Sequence, residues 1–212
     1  MKGFTLTELA IALVIVALLI GGMLVPLSTQ RDIHNVRETK KQLAEIREAL
    51  LGFAIIKGRL PCHSSQTDPA AADYGIEDTP CTNAEGYLPW RTLGVTEVDA
   101  WGSPRLAASD PFPGYWRYRV VTAYAMAFTL TTPPPSALIV QDASGKALTA
   151  SSPDGPVAVI YSTGPDLVAN GQNTTIDATY QASERSQNFD DILVWIGRPI
   201  LFNRLITARK LP

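Results

Sequence analysis

Hydrophobic positions are distributed very unevenly along this chain. From Leu9 to Leu27 no charged residue occurs, and the run is close to the roughly 20 residues that span a hydrocarbon core as a helix. Beyond it the pattern changes. Ile33, Val36, Leu43, Ile46, Leu50 and Phe53 recur at spacings of three, four and seven, with Arg, Lys and Glu between them. That spacing predicts one buried face of an amphipathic helix. Gly58 and then Pro61 supply its stop signals. The expectation is one long helix over residues 4–57, apolar all round in its first half and striped in its second. Gly21, Gly22 and Pro26 interrupt the first half, because proline removes a backbone donor and crowds the preceding turn. His34 falls on the solvent side.

The remainder, residues 58–212, reads as a globular domain. From Gly58 to Gly114 the chain is rich in Pro, Ala, Asp, Ser and Thr, which predicts loop. Strand-like runs follow at Tyr115 to Leu130, Ala137 to Val140, Val157 to Tyr161 and Asp191 to Ile196, separated by Pro- and Gly-rich turns. Short consecutive strands predict an antiparallel meander. Pro199 to Lys210 carries Ile200, Leu201, Leu205 and Ile206 at helical spacing, which predicts a terminal helix. The fold class expected is therefore α+β, a long N-terminal helix packed on a C-terminal antiparallel sheet.

Charge changes this picture in one place. The formal net charge is −2, so nothing drives the whole chain toward nucleic acid or anionic lipid. Trp116-Arg117-Tyr118-Arg119 suggests DNA contact by stacking and charge, but on a strand Trp116, Tyr118 and Val120 share one face while Arg117 and Arg119 share the other. That is the pattern of a half-buried strand. Before the apolar run stand only Lys2 and the amino terminus, both positive, which places Met1 in the cytoplasm and everything after Leu27 outside it. Cys62 and Cys81 then lie in an oxidising compartment, where a disulfide is expected and two free thiols are the alternative. With His34 and His63 the only histidines, His63 beside Ser64 and Ser65 is the sole fragment resembling a nucleophile–base pair, and an enzyme is not expected.

Glu8 is the residue a plain anchor does not need, the alternative being an interfacial residue near the helix N-terminus, where the macrodipole favours an anion. A secretory signal peptide has a shorter apolar stretch and a small-residue cleavage site, and neither is present here. Gly3-Phe4-Thr5-Leu6-Thr7-Glu8-Leu9, followed by the long apolar run, resembles the class III signal of type IV pilins and type II secretion pseudopilins. Thr7 departs from it, standing where that family often has Ile or Val. The resemblance implies a leader of residues 1–3, cut by a prepilin peptidase between Gly3 and Phe4, with methylation of Phe4. It implies a transmembrane segment over about residues 9–27 in the inner membrane and a periplasmic domain. It also implies that Glu8 pairs with the terminal amine of a neighbouring subunit in a filament.

Further along, Tyr161-Ser162-Thr163-Gly164-Pro165-Asp166 and Phe189-Asp190-Asp191-Ile192-Leu193-Val194-Trp195 are similar to the end of the major pseudopilin fold. There the resemblance implies a calcium-binding loop, with Asp166, Asn173, Asp177, Asp190 and Asp191 as its candidates. Leu167 stands where a glycine is expected, and the stretch before Asp190 is longer. Asp, Asn and Gly are also ordinary turn residues, and a turn-built loop is the alternative. The function expected from the resemblance is a structural subunit of a type IV pilus or a secretion pseudopilus. The alternative is a membrane-anchored binding module for DNA or a secreted substrate.

Overall fold

A computed structural model describes residues 5–81, 83–112, 114–133 and 137–211, with residues 20–29 described by their backbone alone. Two compact units divide the chain, residues 1–38 and 39–212.

Helix α1, Leu6–Lys57, is a single element of 52 residues that belongs to both units. It passes through Gly21, Gly22 and Pro26 as one continuous element. In the first unit its described side chains find no interior. Every large apolar residue from Leu6 to Leu19 is at least 49% exposed. The expected span, 9–27, lies partly among the residues whose side chains are not described. Among the described residues, no helix is long and apolar enough to cross a membrane.

In the second unit the same helix behaves as an ordinary amphipathic element. Thr39, Leu43, Ile46, Leu50, Leu51 and Ala54 are buried. This seam corrects the expected stripe at both ends. Ile33 is 46% exposed, and Phe53 is only half-buried beneath the Arg59 guanidinium, 5.4 Å from its ring centre. The helix ends where expected. Gly58 takes the left-handed conformation, φ 70°, and its N–H donates to the Ala54 carbonyl at 2.9 Å. That is the usual glycine stop, since only glycine adopts this backbone without strain.

The main sheet has four antiparallel strands in the order β1 (Glu85–Tyr87), β2 (Arg117–Val120), β4 (Pro156–Ser162) and β6 (Ile192–Gly197). The connections between them carry two more strands, β3 (Ile139–Gln141) and β5 (Thr179–Gln181), which pair with each other in parallel as a separate small sheet. A short helix α2 (Trp90–Leu93) follows β1, and helix α3 (Arg198–Thr207) closes the chain. So the architecture is α+β with an antiparallel sheet, but it is not a simple meander. The run at 137–140 left the main sheet for the small one, and the 58–114 stretch expected to be loop contributes an edge strand.

Pairing fixes which residues share a face. Tyr118 lies opposite Ile160 and Val120 opposite Ala158, while Arg117 lies opposite Tyr161 and Arg119 opposite Val159. Tyr118, Val120, Ala158, Ile160 and Ile196 are buried on one face. On the other, Val159 and Tyr161 pack with Leu138, Val140 and Tyr180, so the small sheet covers that side. β4 is buried on both faces along its whole length, as befits a central strand with no alternation in its sequence.

The expected strand Tyr115 to Leu130 is shorter, ending at Val120. A 3-10 turn at Thr122–Tyr124 redirects the chain, and Tyr124 and Phe128 pack against Phe202 of α3. The β-forming residues of that run are used as a core plug, with tertiary packing overriding propensity.

Candidate functional site

Gly3 and Phe4, the expected processing pair, lie outside the described residues. Glu8 is at the helix entry. Its Oε2 accepts from the Thr5 N–H at 2.8 Å and from the Thr5 hydroxyl at 2.7 Å. The Glu8 N–H in turn donates to Thr5 Oγ1 at 3.3 Å. This is a capping box, in which the first and fourth residues satisfy each other's orphaned groups. The signal was in the sequence, as Thr-x-x-Glu ahead of an apolar run, and the reading from charge alone missed it. Glu8 therefore has a local role in starting the helix, and its carboxylate is exposed.

Cys62 and Cys81 form a disulfide, with Cα atoms 5.4 Å apart. It closes the segment after α1, and Arg59 clamps the same segment through paired bonds to Glu77 at 2.7 and 2.8 Å. His63, beside the disulfide, is fully buried. Its Nε2 lies 3.4 Å from Asp78 Oδ2, yet neither ring nitrogen makes a hydrogen bond, and the buried Ser64 hydroxyl makes none either. His63 and Ser64 thus do not form a nucleophile–base couple. Burial pushes the imidazole pKa down, against the pull of Asp78 and Glu85.

Four of the five loop candidates come together. Asp191 Oδ2 accepts from the Asn170 N–H at 2.9 Å and from Asn173 Nδ2 at 2.8 Å. Asn173 Oδ1 accepts from the Gln181 N–H at 2.7 Å, which ties the loop to β5. Asp166 accepts from the Val168 N–H and from Asn170 Nδ2. The Asp190 N–H donates to Asn170 Oδ1. Asn170, at the hub of these bonds, was not among the expected residues. Asp177 stands apart, bonded to Gln172, Thr175 and Thr179. Gly164, φ 67°, lets the loop close, because a Cβ there would lie 2.7 Å from Asp190 Oδ1.

Calcium asks for six to eight oxygens aimed at one point. Here most of the oxygens are turned to N–H donors instead. Among the described residues, no group of three or more His, Cys, Asp or Glu side chains is placed to hold a metal ion. The five candidates in this arrangement do not fit the ion, and what they build is a hydrogen-bonded turn. Two oxygens are left over, since Asp190 Oδ1 and Asp191 Oδ1 are buried with no hydrogen-bond partner. Asp191 is only 3% exposed. Burial, reinforced by Asp190 and Asp166, pushes its carboxyl up to about 7, while the bonds from Asn170 and Asn173 oppose the rise.

A second polar cluster was not foreseen. Glu85 of β1 is buried, and its Oε1 accepts from Arg117 Nε at 3.0 Å and Nη2 at 2.5 Å. The Tyr161 hydroxyl donates to the same oxygen at 3.1 Å, and the Tyr180 hydroxyl donates to Oε2. Burial and the Glu85 charge hold both phenols well above their ordinary pKa. Glu85 sits in a stretch that reads as loop, so nothing in its sequence context announced a buried acid. The network also occupies the arginines once considered for DNA. Arg117 is spent on Glu85, and Arg119 Nη1 donates to the Asp177 carbonyl at 2.5 Å.

Comparison of the chain with protein-family models, with curated proteins and with solved structures finds no match.

Proposed function

We propose that this chain is a type IV pilin-like subunit of a pilus or a secretion pseudopilus, delivered as a prepilin and held in the inner membrane before assembly. The observation that carries this reading is the first stretch of α1. Its apolar side chains are exposed all round, which a monomer in water does not sustain, and the run without a charged residue begins immediately after Glu8. The natural surroundings for such a surface are lipid or other copies of the same helix. The Gly3-Phe4 junction and Glu8 stand at its start, in the order the pilin signal requires.

In this reading a prepilin peptidase cuts between Gly3 and Phe4 and the new amine of Phe4 is methylated. The cut leaves a cation beside the apolar phase and an anion, Glu8, one helical turn away. Pairing Glu8 with the amine of a neighbouring subunit neutralises two charges that are costly alone in a low-dielectric seam. The pair then acts as a register device in an otherwise non-directional contact. The domain over residues 58–212 lies in the periplasm, where its disulfide persists.

Mass spectrometry of the mature N-terminus tests the reading directly. The expected product starts at methylated Phe4. A chain retaining Met1, or one cut after the apolar run, would remove the proposal.

A further inference from the structure

The two edges of the main sheet are finished differently. At β1 the outer edge is closed, because the Ser64 N–H donates to the Tyr87 carbonyl at 2.8 Å and the Tyr87 N–H donates to the Ser64 carbonyl at 2.9 Å. β6 is the other edge, and among the described residues no strand or bridge pairs with its outer side. On an edge strand alternate residues turn both their N–H and their C=O away from the sheet. Proteins that keep such an edge unpaired place charges or proline on it. Ile192-Leu193-Val194-Trp195-Ile196-Gly197 carries neither, and Leu193, Val194 and Trp195 are only half-buried. The edge is open, apolar and uncharged, which is the form that takes up a further strand.

The surroundings of the two ends of β6 select which strand that is. At its head a groove of about 810 Å³ meets the strand at Ile192 and Leu193. Leu148, 45% exposed, lines this groove. So do three carboxyls, Asp142, Glu184 and Asp191, against two cations, Lys40 and Arg185. At the tail the chain passes directly from Gly197 into α3, whose first turn leaves Ile200 43% exposed. Arg47 and Arg204 lie beside Ile200, and Glu48 accepts from Arg204 at 3.0 Å. The head is thus a groove without net positive charge, and the tail is a basic helix turn with an exposed isoleucine.

A second copy of β6 joins these unlike ends. With a two-fold axis across the middle of the strand the pairing is antiparallel, like every other pair in the main sheet. Gly197 of each copy then lies beside Ile192 of the other. The start of each α3 reaches the other copy's head groove, where Ile200 packs on Leu148 and the arginines face the carboxyls. The outward N–H and C=O groups of both strands satisfy one another. We propose that β6 is a self-association edge, through which two copies of this chain form a two-fold dimer with one continuous sheet, four strands from each copy. The contact lies wholly within residues 39–212 and does not rest on the filament reading.

The test uses the full chain in dodecylphosphocholine, with micelles in large excess so that two chains do not share one by chance. Sedimentation velocity at matched detergent density is expected to show a reversible dimer. In the nitrogen-labelled chain, amide exchange at alternate residues of β6 should slow in the dimer and not at the dilution that gives monomer. Ile200 and Leu148 are exposed and outside the core, so both can be replaced without disturbing the fold. Ile200→Asp and Leu148→Arg each put a charge into an apolar contact, and each is expected to weaken dimerisation at least about tenfold. Combined in one chain they set opposite charges across the contact and should recover most of that loss. A chain that stays monomeric at every concentration overturns the proposal. So does a dimer that both single variants leave intact, since association then runs through another surface such as the apolar start of α1. A combined variant that dimerises no more tightly than the single ones overturns it as well.

Discussion

The two ends of helix α1 differ in what surrounds them, although they are one continuous element. From Leu43 to Ala54 one face is apolar and buried, and the other carries Glu45, Arg47 and Glu48 toward solvent. From Leu9 to Leu19 every face is apolar and none is buried. The first arrangement is the outcome of folding in water, where an amphipathic stripe finds an interior. In the proposed function the second is a surface that lipid or neighbouring helices cover. Under that proposal a single secondary structure serves two environments, and Glu8 stands just before the second begins.

The largest expected effect breaks this comparison at Glu8. The capping box gives Glu8 a reason to exist that needs no filament, so charge and cap must be separated. Glu8→Gln keeps the box, because glutamine serves at the same position, but it removes the charge. Under the pairing mechanism both Glu8→Gln and Glu8→Ala leave insertion and cleavage intact and abolish fibre assembly in a pilus shear assay. If Glu8→Gln subunits assemble as wild type while Glu8→Ala subunits do not, the cap is what matters and the charge pair is wrong.

Next in size is the contrast between the two apolar surfaces. Leu50 is fully buried, so Leu50→Ala deletes core contacts and leaves a cavity, at a cost of about 2–5 kcal/mol. Leu13 is 61% exposed, and Leu13→Ala is expected to change the thermal midpoint of the globular unit by no measurable amount. Melting curves of the two variants in the same detergent decide this. A comparable loss from Leu13→Ala would mean that the first stretch contributes to the folded core.

The disulfide comes third. Replacing Cys62 and Cys81 together by serine frees a loop with a sequence separation of 19, and the chain-entropy model sets the loss at roughly 3 kcal/mol. Denaturant titration with and without reductant measures it. The variant should be insensitive to reductant, and the wild type should fall to the level of the variant.

Much of the fold was legible because it rested on period and punctuation. The long helix, its glycine stop and the opposing faces of Tyr118 and Arg117 follow from spacing. The terminal helix was expected at Pro199 to Lys210 and is found at Arg198–Thr207. What spacing could not reveal depended on long-range partners. Glu85 is an acid in a loop-like stretch until Arg117, Tyr161 and Tyr180 surround it, at sequence separations of 32, 76 and 95. The parallel pairing of β3 with β5 joins two three-residue segments too short to carry a pattern. The loop candidates were legible as a group of Asp and Asn residues, but not Asn170 as their hub. Nor could the sequence say that their oxygens would face N–H groups.

The smallest effect is a dependence on pH centred on Asp191, and it separates the turn reading of the loop from any that needs a fully ionised cluster. Burial holds the folded-state pKa of Asp191 at about 7, whereas an unfolded aspartate titrates near about 3.9. Between those values the folded state holds a proton that the unfolded state has released. The stabilisation from this group is therefore fully present below the unfolded pKa and is lost as pH rises toward 7. The slope is at most about 1.4 kcal/mol per pH unit. His63 bends the curve in the opposite direction, since its lowered folded pKa removes stability as pH falls below about 6.5. Asp191→Asn keeps an oxygen for the Asn170 and Asn173 bonds and removes the titrating proton. Stability measured across this range should then lose the part of its decline toward neutral pH that wild type shows, while the acid-side loss assigned to His63 remains. If the variant and the wild type have parallel profiles, Asp191 is ionised in the folded loop, and the buried Oδ1 must have a partner that the turn reading does not supply.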